Sequence, residues 1–254
     1  MQAPARRPVQ VGRPPCARQR FAAAVRTVGV SHVDDIEAVL FDLDGTLCRR
    51  TQDVAALYDS AFERAEVEPF GEPGALWPLL DGPPDPDDRV GHLAAGFARL
   101  AARHGRRVDA IGLAEAFIAG VDNAQVRFAE GAERALEWAN ARGAAGLLTN
   151  GPSSRQRPKV RSLALDKHLD PVVYAGDLPR RKPHAEPFEH ALAVLGTAPE
   201  RTLYVGNSLT YDVAGAHNAG LPVAWVRDGD GDGPGEYRPD LVLESVGDLP
   251  DGLG

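Results

Sequence analysis

Six short apolar runs constrain this chain more than any other feature. They lie at 37–42, 145–149, 171–174, 202–206 and 222–226, with a weaker run at 240–243, and helical patterns at 131–142, 155–165, 185–195 and 210–219 fall between them. Strands that are apolar throughout are buried on both faces, and parallel neighbours need crossovers long enough to hold a helix. The expected fold class is therefore α/β, a Rossmann-like parallel sheet. Gly196 and Gly220 stand where helix C-caps are expected. Pro158 falls inside the first turns of the 155–165 helix, which it starts or kinks. In open parallel sheets the ligand lies beyond the carboxyl ends of the strands, so the residues after each run are the ones to inspect.

After the first run comes Phe41-Asp42-Leu43-Asp44-Gly45-Thr46. Two carboxylates one residue apart at a strand end repel each other and each loses water. A divalent cation resolves that conflict, and hard oxygen ligands favour Mg2+. Gly45 permits a sharp turn and Thr46 can hydrogen-bond locally. The plainer reading is a surface turn at Asp44-Gly45. Later runs carry their own polar ends: Thr149-Asn150-Gly151, then Arg181-Lys182-Pro183 opening a helix, then Asn207-Ser208 with Asp212 following Thr202–Gly206.

Between Gly45 and Thr149 lie about a hundred residues, far more than one crossover needs. Three apolar stripes recur there at helical spacing: Val54, Leu57, Tyr58, Ala61, Phe62, Ala65; then Val90, Leu93, Ala94, Phe97, Leu100, Ala101; then Ile111, Leu113, Ala114, Phe117, Ile118, Val121. They read as the core of a helical subdomain, not a cofactor box. The Pro/Gly/Asp segment from Asp81 to Asp87 separates the first helical portion from the others as a loop.

At 254 residues the chain can bury a sizeable core, and 43% hydrophobic with 25% charged residues is ordinary for a globular protein. No apolar run is long enough to span a bilayer. Only Cys16 and Cys48 occur, too few for a disulfide scaffold, which suits a cytoplasmic location. Cys48 reads as a packed thiol. Residues 1–33 carry six Arg and no acid, so the remainder is more acidic than the net charge of −8 shows. An acidic body argues against nucleic acid as a partner. Residues 1–33 themselves, rich in Pro, Arg and Ala, read as a disordered extension, as a transit peptide, or as residues upstream of the natural start.

Asp42-x-Asp44-Gly45-Thr46 resembles the first motif of the haloacid dehalogenase (HAD) superfamily, most of whose members are phosphohydrolases. Thr149, Lys182 and the Asn207–Asp212 segment match the later motifs in the right order, so the resemblance covers about residues 36 to 226. It implies a helical cap inserted after the first motif, closing over the substrate and excluding water. The expected division is an α/β core of residues 34–48 and 128–254 with a cap of residues 49–127.

The resemblance also implies roles. Asp42 is the nucleophile that forms an aspartyl-phosphate, and Asp44 protonates the leaving oxygen and then takes a proton from water. Thr149 and Asn150 reach phosphoryl oxygens, and Lys182 offsets the gathered negative charge. Thr46, Gly151 and Arg49 are further substrate-binding candidates, although a solvated Arg49-Arg50 pair is equally compatible with the sequence. Mg2+ is held by Asp42, Asp44 through its backbone carbonyl, Asn207 and Asp212. Asn207 is the departure, because family members commonly carry Asp there. An amide oxygen coordinates without charge, so metal binding is expected to weaken.

The expected activity is Mg2+-dependent hydrolysis of a small phosphorylated metabolite. Asn207 keeps a binding or regulatory module as the rival. A dehalogenase generally lacks the second carboxylate, which this chain keeps as Asp44. A sugar phosphomutase carries a His about twelve residues past the nucleophile, where this chain has Val54. The acidic repeat from Asp228 to Gly233 mimics an EF-hand start, but Pro239 stands at the twelfth position, so it reads as a flexible loop. His184, His190 and His217 read as helix-face residues.

Overall fold

The computed structural model describes residues 35–81, 88–227 and 233–253. Residues 1–33, most of the Asp81–Asp87 segment and the 228–232 acidic repeat lie outside the described residues.

The apolar runs form six strands: β1 (Ala38–Phe41), β4 (Ala144–Thr149), β5 (Val172–Tyr174), β6 (Thr202–Gly206), β7 (Val223–Val226) and β8 (Leu241–Leu243). All pair in parallel, in the order β5-β4-β1-β6-β7-β8. In β1, Phe41 is in register with Leu147 on one side and Val205 on the other. β1 is thus central, and the strand order reverses beside it, the place where open α/β sheets bind ligands.

Alternation along the strands feeds two separate cores. Val39, Phe41, Leu147, Leu203 and Val205 point to one face and pack with Ala132, Ala135, Leu136, Ala139 and Val160, which come from α4 (Ala132–Arg142) and α5 (Ser153–Ser162). Leu40, Leu148, Tyr204, Val223 and Trp225 point to the other face. They meet Phe188, Ala191 and Leu192 of α6 (Glu186–Leu195) and Ala216 of α7 (Ala214–Asn218). Burying aliphatic strands on both faces is the main stabilising term, about 25 cal/mol per Å2 of apolar surface removed from water. Gly196 adopts the left-handed conformation (φ 70°) expected of its C-cap position.

A third core lies in the long insertion. Helices α1 (Val54–Arg64), α2 (Arg89–Arg103) and α3 (Ala110–Ala119) each begin at an Asp whose side chain caps the first turn: Asp53, Asp88 and Asp109. Their apolar stripes converge on Tyr58, Phe62, Phe97 and Phe117. Two stripe residues do not join them, since Val54 and Ile111 are exposed. Both sit at or beside the first turn of their helix, where the packed face has not begun. The insertion is bounded by a two-stranded antiparallel ribbon that the sequence did not announce, β2 (Cys48–Arg50) with β3 (Val126–Phe128), pairing Cys48 with Phe128 and Arg50 with Val126. Three residues are too few to show a period.

Candidate active site

The ends of β1, β4 and β6 and the turn before α6 open into one cavity of about 470 Å3. Asp42, Asp44, Thr149, Asn150, Gly151, Lys182, Asn207 and Asp212 all line it. Of the ten residues singled out from the sequence, Thr46 and Arg49 do not. They line a separate cavity with Arg127 and Glu244. Side chains alternate along a strand, so in β2 it is Arg50, not Arg49, that faces the cavity.

Gly45 shapes the first turn. It has φ 91°, and a Cβ there would run into the side chain of Asn207. The carbonyl of Leu43 accepts the amides of Leu47 and Cys48, both at 3.0 Å, which fixes the turn. Thr46 supports the turn from behind, its Oγ1 donating to Asn207 Oδ1 at 3.4 Å. Gly45→Ala is therefore expected to cost about 1–3 kcal/mol in urea denaturation, through the strained φ and the displaced Asn207.

Lys182 is the hub of the cavity floor. Its Nζ lies 2.7 Å from Asp42 Oδ1 and 2.7 Å from Asp212 Oδ1, with Tyr204 Oη at 2.8 Å and the Leu148 carbonyl at 3.2 Å. Its side chain is 2% exposed. Burial opposes the ammonium charge, but Asp212 and Asp42 outweigh it and raise the Lys182 pKa. Asn150 holds the backbone of this residue in a two-point clamp. Its Oδ1 accepts the Lys182 amide at 2.9 Å and its Nδ2 donates to the Lys182 carbonyl at 3.0 Å. The Asn150 side chain thus aims Lys182 and does not reach out to substrate.

Asp212 is equally committed. Oδ1 faces Lys182 and Tyr204, and Oδ2 accepts the Ser208 amide at 2.8 Å. It sits in a π-helical turn, Leu209–Val213, that precedes α7. Wide turns of this kind often occur at functional sites. Here Asp212 anchors Lys182 and does not offer an open oxygen to a metal.

Two buried carboxylates, Asp42 and Asp212, thus share one ammonium. Burial, reinforced by the charge of Asp212, pushes Asp42 up to about 7 against the pull of Lys182. That surplus of negative charge is one a divalent cation relieves. The Asp42 carboxylate and the Asn207 amide oxygen are hard donors on the wall of the same cavity, so the set fits Mg2+. No group of three His, Cys, Asp or Glu side chains among the described residues is arranged to hold an ion without such help.

Three side chains of the candidate site went unnoticed in the sequence. Lys159 is buried on α5 and its Nζ lies 2.6 Å from both oxygens of Asp44. Gln156, one turn earlier, donates from Nε2 to Asp44 Oδ2 at 2.8 Å and to Thr149 Oγ1 at 2.7 Å. Gln156 Oε1 is buried without a partner among the described residues. Desolvation alone would raise the Asp44 pKa, but Lys159 and Gln156 hold it below 3.8. Tyr204 is the third, completing the cage around Lys182. A signal for Lys159 existed: the chain has only three lysines, at 159, 167 and 182, and two of these are the buried ones.

Cys48 is packed as expected. Burial, aided by nearby Asp44, pushes its thiol up to about 12, so it is not a nucleophile. His217 lies 3.1 Å from Asp240.

This fold, with its aspartates and lysines at the strand ends, is that of a hydrolase: residues 36–220 match the haloacid dehalogenase-like hydrolase model, and the chain belongs to that family. Its relatives include the pyrophosphatase PpaX of Halalkalibacterium halodurans, 27% identical over 87% of this chain and 98% of that protein. They also include the phosphoglycolate phosphatase of Escherichia coli, 27% identical over 87% of this chain and 94% of that protein. Among solved structures, the HAD-hydrolase YfnB from Bacillus subtilis superposes with a TM-score of 0.66 at 21% identity, covering 86% of this chain and 99% of that one. The chain is an enzyme of this hydrolase family, and the named relatives are phosphatases. Among the described residues no helix is long and apolar enough to cross a membrane.

Proposed function

We propose that this enzyme is a Mg2+-dependent phosphomonoesterase acting on a small phosphorylated metabolite through an aspartyl-phosphate at Asp42. The observation that carries the reading is the buried Asp42 beside the Lys182 ammonium, on the floor of a cavity lined by six cations and three aspartates. A dianionic phosphoryl group is drawn to such a floor, and a carboxylate at its base attacks phosphorus. Asp42 Oδ forms the new P–O bond as the ester oxygen leaves, and water then cleaves the acyl phosphate. Asp44, held ionised by Lys159, is in the form that accepts a proton from that water. Before the first step it must carry a proton to give to the leaving oxygen. Lys182 balances charge on the transferring group, and Thr149 Oγ1 orients it.

The Asp42 carboxylate, the Asp44 carbonyl and Asn207 Oδ1 would hold Mg2+, which supplies charge stabilisation for the phosphoryl group. Residues 49–127 act as the cap and 34–48 with 128–254 as the core, in a cytoplasmic enzyme with no nucleic-acid or membrane partner. The named activities of the relatives make phosphoglycolate the first candidate ester, with pyrophosphate, an anhydride, as the alternative to test beside it.

The test is hydrolysis of a panel of phosphate monoesters with and without Mg2+. Mg2+-dependent release of phosphate is the expected outcome. No turnover by folded protein at high Mg2+ would sink the reading in favour of a binding module. Asn207→Asp restores a charged ligand and is expected to lower the Mg2+ concentration for half-maximal rate by about tenfold. An unchanged Mg2+ dependence would remove Asn207 from the metal site.

A further inference from the structure

Six cations line the cavity; Lys159 pairs with Asp44, and Lys182 with Asp42 and Asp212. The others are arginines from four different segments: Arg50 in β2, Arg89 at the start of α2, Arg155 in the first turn of α5, and Arg181 before α6. Among the described residues no carboxylate comes within ion-pair distance of Arg89 or Arg155. Arg50 makes one exposed contact, Nη2 to Asn123 Oδ1 at 3.3 Å. Burial lowers the pKa of Arg89, and the like charges of Arg155 and Arg50 lower it further. Arg155 is lowered the same way, by burial and then by Arg181. Arginines gathered from the insertion and the sheet domain at one cavity repel each other unless an anion sits between them.

Depth in the cavity separates this group from the reacting floor. Asp42, Thr149 and Lys182 are buried, whereas Arg89 and Arg155 are half-buried and Arg50 is exposed. A phosphoryl group seated on the floor therefore directs the rest of its ester outward, past the arginines.

We propose that Arg50, Arg89 and Arg155 form a subsite for a second oxyanion, a carboxylate or a phosphate, on the leaving portion of the substrate. The proposal rests on the phosphomonoesterase reading above and names the substrate class: small phosphate esters with an anionic tail. Guanidinium forks suit carboxylate and phosphate alike, since both present paired oxygens.

The test is calorimetric binding to the full-length Asp42→Asn protein, so that it does not depend on turnover. The probes are ethylene glycol monophosphate, phosphoglycolate and ethylene glycol bisphosphate, which share a two-carbon skeleton and end in a hydroxyl, a carboxylate and a phosphate. At least one anionic-tailed probe is expected to bind about tenfold or more tighter than the monophosphate, with the stronger of the two identifying the tail. Arg50→Gln, Arg89→Gln and Arg155→Gln are each expected to narrow that ratio by about threefold or more, and the triple substitution to bring it close to one. Because the readout is a ratio within one protein, a general loss of affinity does not imitate it. Equal binding of all three probes, or a preference that survives the triple substitution, overturns the subsite. Absence of turnover by the wild type with a preserved preference would instead refute the phosphomonoesterase reading and leave the subsite standing.

Discussion

Asp42→Asn is expected to reduce turnover by about four orders of magnitude or more, because the amide cannot attack phosphorus. The same substitution should not weaken the fold. Asp42 and Asp212 share a single ammonium, and burial raises the Asp42 pKa from 3.8 to about 7. A carboxyl that binds its proton more tightly when folded makes stability fall as pH rises from about 4 through 7, since the unfolded chain releases the proton first. Asn removes the group that titrates in this window. Its midpoint in urea should therefore match or exceed that of the wild type at neutral pH in the presence of a chelator, and its pH dependence between 4 and 7 should be flatter. A variant less stable than the wild type under these conditions would contradict the surplus of buried negative charge at Asp42.

Lys182→Met carries the second large effect. The substitution leaves Asp42 and Asp212 facing each other with no ammonium, and both are almost fully buried. Removing one partner of a buried pair costs about 3–5 kcal/mol, because the charge left behind stays out of water. Tyr204 Oη also loses the donor at 2.8 Å, and the Leu148 carbonyl loses one donor while keeping Tyr204 Oη at 3.2 Å. Equilibrium urea denaturation at neutral pH reads this directly. Pairing Lys182→Met with Asp42→Asn should recover part of the loss, since the double variant buries one carboxylate fewer. A loss under about 1 kcal/mol for Lys182→Met would mean that the cage is not held by charge.

The sheet was legible because its strands are buried on both faces. Runs such as Leu203-Tyr204-Val205 stay apolar at every position, and the structure divides them between two cores. Helices of the insertion were legible from their stripes, but not the ribbon between Cys48–Arg50 and Val126–Phe128, whose partners lie far apart in sequence. Missing that ribbon made Arg49 and Arg50 look interchangeable, when strand alternation sends only Arg50 into the cavity. The carboxylates and Lys182 announced themselves by standing after strands. Lys159 and Gln156 did not, because a polar pair on a helix ordinarily faces water, and only the docking of α5 onto Asp44 shows otherwise. Asn150 and Asp212 both line the cavity, yet Asn150 spends its oxygen on Lys182, and Asp212 divides its two between Lys182 and the Ser208 amide. Sequence position indicates which residues meet; the hydrogen-bond partners of each atom decide what is left for a ligand.

The central claim is that phosphoryl transfer passes through Asp42. Its most direct test is to mix the wild-type enzyme with a turned-over phosphate monoester and Mg2+, quench in acid within the first turnovers, and locate the phosphoryl group by peptide mass spectrometry. A phosphoryl group on Asp42, formed and lost at rates that account for steady-state turnover, is the predicted result. Turnover with no label on Asp42, or with label on another residue, would contradict the mechanism.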